Sequence, residues 1–227
     1  MKSHDEKVKI IYKVLSKVYD LMDLILFSNN MSNPRKALAA QLPNVHIKIL
    51  DVCCGTGNSS IAIGCKNSNN SVVGIDLSKD MLKIANKKTL KHKFSNITFR
   101  EMNAMYMDFQ DGSFDVVTIS LALHEMPQDV INPVLAEIKR VLKAGGKFYI
   151  IDWGKPKHFI SSILFSVFPT LFEPKGFNQF LNISWDKLLL QYGLELENIE
   201  DYNFTKLIIA IGKENLACVK PKALAEA

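Results

Sequence analysis

A short apolar run that ends in a glycine turn and passes directly into a helical stretch constrains this chain more than any other feature. Ile47–Val52 (IKILDV) reads as a strand, CCGTGN follows as a turn, and Asn58–Cys65 reads as a short helix with Asn58 or Ser59 as its N-cap. The alternation then repeats. Ser71–Leu77 is predicted as a second strand, and Ser78 caps a Lys-rich helix reaching about His92. Ile97–Asn103 and Phe114–Leu121 are the third and fourth strands. Gln128–Leu142 is predicted as a helix stopped by Lys143 and Gly145–Gly146, with Lys147–Trp153 as the fifth strand. Ser184–Tyr192 is a helix stopped by Gly193, and the runs Leu196–Tyr202 and Lys206–Gly212 pair as a closing hairpin. Strands alternating with helices specify an α/β fold with a doubly wound, mostly parallel sheet.

Two stretches fall outside this alternation. Val8–Leu42 reads as two helices broken around Asn29–Pro34, and Pro156–Asn182 holds six of the 13 phenylalanines. With 227 residues, 48% hydrophobic and 22% charged, the chain is globular rather than disordered or fibrous. Its net charge of +5 is far from the dense basic surface of a nucleic-acid binder. The Lys run at 79, 83, 87, 88, 91 and 93 reads most simply as a solvated helix face, so nucleic acid is not expected as a partner. Cys53, Cys54, Cys65 and Cys218 show no zinc spacing, adjacent Cys53 and Cys54 make a poor disulfide pair, and no metal site is expected. MKSHDEKVKI lacks the apolar core of a signal peptide, and Phe159–Phe172 is too short to span a bilayer, so a reducing cytoplasm is the expected setting.

The turn carries the first chemical signal. Gly55 and Gly57 allow a tight backbone and close approach to a ligand, and the following helix offers unpaired N–H groups. In an open α/β sheet such a first turn is where nucleotides bind, and an acid ending the second strand, here Asp76, accepts hydrogen bonds from a ribose diol. Two nucleotide classes remain. The dinucleotide pattern wants a third glycine, where this chain has Ser60. Asp51, just before the turn, suits an ammonium and repels a pyrophosphate. S-adenosylmethionine carries an ammonium, a sulfonium and a ribose diol and therefore fits better than NAD. An NAD-linked oxidoreductase and a non-catalytic binder of S-adenosylmethionine stay open as alternatives.

ILDVCCGTGNSS (49–60), VVGIDLSKDML (72–82), MNAMYMDFQDGSFDVVTISLALHEM (102–126) and EIKRVLKAGGKFYIIDW (137–153) together resemble class I S-adenosylmethionine-dependent methyltransferases. VYDLMDLILFSNN (18–30), followed by Pro34-Arg35, resembles the N-terminal helix of the ubiquinone/menaquinone-biosynthesis group. The resemblance implies a Rossmann-like seven-stranded sheet with an antiparallel last strand. Residues 1–45 become an N-terminal helical cap, 46–213 the methyltransferase domain with a Phe-rich insertion at about 156–182, and 214–227 a tail. It implies S-adenosylmethionine as cofactor, with Asp51, Cys54, Gly55 and Gly57 lining the methionine and ribose side. Asp76 would hold the ribose hydroxyls, Leu77 and Met81 would flank the adenine, Asn103-Ala104 would meet its amino group, and Tyr19 would close over the cofactor.

Methyl transfer from a sulfonium is an in-line displacement in which the protein aligns the acceptor and, for a carbon or hydroxyl acceptor, removes a proton. Candidates for that role lie at the carboxyl ends of the strands. His124 after the fourth strand is a base or packs in the loop, and Asp152 at the end of the fifth is a second base or a polar anchor. Glu125 reads as a cap for the helix at Gln128, Cys53 and Cys54 as inert packing, and Trp153 as pocket wall or core. The Phe-rich insertion is core, a cover for an apolar or aromatic acceptor, or a contact with a membrane surface. The expected acceptor is a small quinone-like or lipid-like molecule.

Overall fold

The computed structural model describes residues 33–155 and 177–213. The predicted first N-terminal helix, Tyr19, most of the Phe-rich insertion and the tail lie outside these residues. Seven strands, β1 (Lys48–Val52), β2 (Ser71–Asp76), β3 (Ile97–Glu101), β4 (Phe114–Ser120), β5 (Leu142–Trp153), β6 (Leu194–Tyr202) and β7 (Thr205–Gly212), form one sheet in the order β3-β2-β1-β4-β5-β7-β6. The first five are parallel, and β7 runs antiparallel to both β5 and β6. The order reverses between β1 and β4, so the crevice beyond their carboxyl ends is the natural ligand site of such a sheet.

Helices cover both faces: α1 (Pro34–Gln41), α2 (Asn58–Lys66), α3 (Lys79–His92), α4 (Gln128–Val141), α5 (Phe177–Phe180) and α6 (Trp185–Leu190). On one face Ile131, Val134, Leu135 and Ile138 of α4 and Leu189 of α6 pack on Leu50, Val117, Phe148 and Ile208. On the other, Leu38 of α1 and Ile63 of α2 pack on Ile49, Val72, Val116, Tyr149 and Leu207. The central strands are buried on both faces, which explains why they read as continuous apolar runs rather than alternating ones.

Three local expectations need correction. The N-cap of α2 is Gly57, in the left-handed region at φ 80°, with no side-chain cap; Asn58 is the first helical residue and its Oδ1 accepts from Lys88 Nζ at 2.8 Å. Glu125 does not cap α4: the N-cap is Pro127, and Glu125 sits in a single 3-10 turn, Leu123–Glu125. Lys143–Gly146 does not separate helix from strand. Leu142 already pairs with Phe114, and the register shifts between Phe114 and Val116 let the intervening residues remain in one long β5. Ser78 caps α3 as expected, its hydroxyl accepting from Met81 N at 3.3 Å. No helix among the described residues is long and apolar enough to cross a membrane.

Candidate functional site

The turn after β1 is held from several sides. Cys54 N donates to Ile75 O at 2.9 Å, and Gly55 N donates to Asp76 Oδ2 at 2.8 Å, locking the turn to the end of β2. Asp76 Oδ1 accepts from Ser78 N at 2.8 Å, so one half-buried carboxylate organises both the turn and the start of α3. Burial raises its pKa, and the Ser78 and Gly55 N–H groups act in the opposite direction. A Cβ built on Gly55, at φ +53°, meets nothing within 4 Å, whereas one on Gly57 would lie 2.8 Å from Phe99 Cζ. Gly55 therefore borders open space, and Gly57 is required for packing.

Asp51 is fully buried in β1, facing α1 and α2. Its Oδ2 accepts from Ser60 Oγ at 2.5 Å, and its Oδ1 is buried with no hydrogen-bond partner. Burial pushes the carboxyl up to about 6, against the lowering effects of the Ser60 hydrogen bond and the charge of Arg35. Arg35, itself buried, donates from Nε to Ser59 Oγ at 2.9 Å, which ties α1 to the first turn of α2. An orphaned carboxylate oxygen beside a glycine with open space, with a second acid at the end of β2, fits a ligand bearing an ammonium and a diol. It does not suit a pyrophosphate. Ser60, at the third-glycine position, is committed to Asp51, and the NAD alternative is not favoured.

The remaining cofactor candidates lie around the same edge. Leu77 and Asn103 are half-buried, and Met81 and Ala104 are buried. Asn103 Oδ1 accepts from Met105 N at 2.9 Å, and Met102 N donates to Asp76 O at 3.1 Å, so the loop after β3 is anchored to the end of β2. Arg140 of α4 anchors its far side, donating to Met107 O at 2.8 Å and Phe109 O at 2.6 Å. Burial raises the thiol pKa of Cys54, with Asp51 and Asp76 adding to it, and Cys53 is raised likewise; neither is an activated nucleophile. Two non-glycine residues take left-handed backbone here, Cys53 after β1 and Leu121 after β4, both at φ 53°. Such outliers concentrate at functional sites, and nothing in the residue types signalled either.

At the carboxyl ends of β4 and β5 the structure joins the two predicted polar residues. His124 Nδ1 lies 2.7 Å from Asp152 Oδ1. Trp153 Nε1–H donates to His124 Nε2 at 3.1 Å, which makes Nδ1 the protonated nitrogen, donating to Asp152. Asp152, with no exposure, also accepts from Leu123 N at 3.0 Å and Trp153 N at 2.8 Å. Both of its oxygens are engaged, so it orients His124 rather than facing open space. Glu125 Oε1 lies 3.7 Å from His124 Nε2. The rings of Trp153, Phe177 and Phe180 stand edge-on to His124 at centroid distances of 6.0, 6.1 and 6.0 Å. Phe177 and Phe180 end the Phe-rich insertion, so part of that segment contributes to this aromatic wall. Among the described residues no cluster of His, Cys, Asp and Glu is arranged to hold a metal.

Comparison with known proteins agrees with this geometry. Residues 1–205 match the ubiE/COQ5 methyltransferase family. A demethylmenaquinone methyltransferase of Lactococcus lactis is 32% identical over 209 residues, covering 91% of this chain and 80% of that protein. One of Alkalihalophilus pseudofirmus is 35% identical over 156 residues, covering 67% of this chain; there the match spans only 64% of the relative's length. A solved S-adenosylmethionine-dependent methyltransferase of Aquifex aeolicus shares the fold with a TM-score of 0.64 at 19% identity, over 93% of this chain and all (100%) of that one. With residues 1–205 matched by the family and a relative 32% identical over 91% of this chain, the membership is plain: the chain belongs to the ubiE/COQ5 methyltransferase family.

Proposed function

We propose that this chain transfers a methyl group from S-adenosylmethionine to the ring of a small demethylated quinol. The acceptor class follows the name of its relatives, demethylmenaquinone methyltransferase. The observation that carries the reading is the carboxylate-held His124 inside an aromatic wall, in the turn after β4, the strand that lies beside β1 and its glycine turn. When bound, the cofactor supplies an electrophilic methyl group on a sulfonium. Asp51 would take its ammonium, Asp76 its ribose hydroxyls, and Leu77, Met81 and Asn103-Ala104 would surround its adenine. Cys54, Gly55 and Gly57 would form the floor, with Tyr19 closing from the N-terminal cap.

The protein's own work is proton transfer and alignment. His124 accepts the proton of a ring hydroxyl at Nε2, and the resulting imidazolium is held by Asp152, a positioning residue. The electron pair left on oxygen raises the nucleophilicity of the neighbouring ring carbon, which takes the methyl group. That carbon then loses its own proton to solvent water, the C–H electron pair restores the aromatic ring, and the ring oxygen takes back the proton held on His124 Nε2, which resets the base. The aromatic wall of Trp153, Phe177 and Phe180 aligns a flat ring and excludes water. Residues 156–182 would complete the cover and meet the lipid surface on which an apolar quinone resides. The free thiols Cys53, Cys54 and Cys65 suit a reducing cytoplasm.

The test compares three acceptors: a reduced demethylated naphthoquinone, its oxidised form, and the reduced form with both hydroxyls blocked as methyl ethers. Methylation of the first alone is expected. Equal methylation of the blocked form would exclude His124 as the base for a ring hydroxyl.

A further inference from the structure

The geometry points to a base that is closed in the resting enzyme. We propose that the Trp153 indole N–H occupies the His124 Nε2 lone pair until the acceptor hydroxyl displaces it, and that Glu125 then steadies the imidazolium. This rests on the reading of His124 as the base.

A neutral imidazole has a single nitrogen lone pair able to accept a proton. Nδ1 carries the hydrogen directed at Asp152, so the lone pair is on Nε2, and the indole N–H lies on it at 3.1 Å. A base in this state cannot take a substrate proton. The bond is also built rather than incidental. Asp152 accepts from Trp153 N at 2.8 Å as well as from His124, so one carboxylate fixes both partners. The Trp153 ring is edge-on to His124 and lies 6.4 Å from Phe177, also edge-on.

Among the described residues, the charged groups placed against the ring include Asp152 from β5 and Glu125 from its own turn, while Phe177 and Phe180 of α5 contribute apolar edges. Glu125 Oε1, 3.7 Å from Nε2, is too far to compete with the indole for a neutral ring, but it attracts a protonated one. In the reaction the acceptor O–H bond breaks and an N–H bond forms at Nε2. The electron pair stays on the acceptor oxygen, and the new positive charge sits between two carboxylates. The device gives selectivity: water that enters the site meets a closed base, and only a ligand that displaces the indole from Nε2 opens it.

The experiment is nitrogen-labelled NMR of the full chain. Its two tryptophans give two indole signals, and Trp153→Phe identifies the one that matters. With S-adenosylhomocysteine bound, adding the reduced demethylated naphthoquinone should move the Trp153 indole proton upfield as its hydrogen bond is lost. S-adenosylhomocysteine alone should leave it in place. Separately, Trp153→Phe keeps an aromatic side chain, though a smaller one, and removes the donor that favours the neutral imidazole. The His124 pKa should rise by roughly half to one unit, the size of one neutral hydrogen bond. The acid limb of kcat/KM should move to higher pH with it. If the variant does not fold, Trp185→Phe identifies the wild-type signals instead.

An unchanged His124 titration in Trp153→Phe overturns the proposal even in a fully active enzyme. So does an indole signal that stays fixed while calorimetry registers acceptor binding. Full turnover in His124→Gln would overturn the base reading instead, and the two failures are therefore distinguishable.

Discussion

Replacing Asp51 by Asn should make the cofactor-free protein more stable and the cofactor-bound state weaker. Asp51 is fully buried, and its carboxyl is raised from 3.8 to about 6 by loss of hydration. The fold therefore prefers the protonated form. Between pH 3.8 and about 6 the native state holds more protons than the unfolded one, so the contribution of Asp51 to stability is greatest below pH 3.8 and is lost as pH rises through 6. Two units at about 1.4 kcal/mol each put the cost of the ionised group near 3 kcal/mol above pH 6. Asn carries no charge, can still accept from the Ser60 hydroxyl, and places a donor beside Thr118, whose buried hydroxyl has no partner. At pH 8 Asp51→Asn should raise Tm by up to about 6–12 °C for a chain of this size. The difference should shrink steadily toward pH 4. The same change removes the charge that meets the cofactor ammonium, so affinity for S-adenosylhomocysteine should fall by roughly 10-fold or more. Thermal unfolding followed by circular dichroism across pH 5–8, with calorimetric titration of the product, measures both effects. An Asp51→Asn protein that is less stable at pH 8, or that binds S-adenosylhomocysteine like wild type, would refute the reasoning.

Further consequences are independent of that one. Asp76→Ala should weaken cofactor binding by about 1.5–3 kcal/mol and loosen the turn as well, because Gly55 N and Ser78 N lose their acceptor; equal affinity in calorimetry would displace Asp76 from the ribose. Gly55→Ala should cost only about 1 kcal/mol of stability, from left-handed backbone, yet reduce cofactor affinity, since its Cβ enters open space. Gly57→Ala should cost more, about 2–3 kcal/mol, because its Cβ runs into Phe99 and Ala85; denaturant midpoints of the pair that fall together would contradict this. His124→Gln should lower kcat by about 10²–10⁴-fold with KM little changed, and an unaltered kcat would assign His124 to packing.

Much of this architecture was legible because the central strands are apolar on both faces and end in turn residues, a pattern with few competing folds. Ser78 was readable as a cap since only one hydroxyl precedes the Lys-rich helix. The misreadings occur where tertiary context overrides local chemistry. Asn58 is a good capping type, but Gly57 takes the left-handed geometry and Lys88 of α3 takes the Asn58 side chain. Gly145–Gly146 looked like punctuation, yet cross-strand pairing to Phe114 carries β5 through it. In the site, position at strand ends picked out Asp51, Asp76, His124 and Asp152, because ligand position in such sheets is set by topology. The Trp153–His124 bond, the Arg35–Ser59 tie, the Arg140 anchor and the approach of Glu125 are contacts between groups distant in sequence or set by a loop, and residue type alone does not encode them.

The most direct measurement is to incubate the full chain with S-adenosylmethionine carrying a labelled methyl group and a reduced demethylated naphthoquinone, then locate the label by mass spectrometry and NMR. The account predicts a product heavier by one methyl group, bonded to the ring carbon beside a hydroxyl, with His124→Gln slowing its formation. Tight binding of S-adenosylhomocysteine with no label on the ring, or label on oxygen alone, would contradict it.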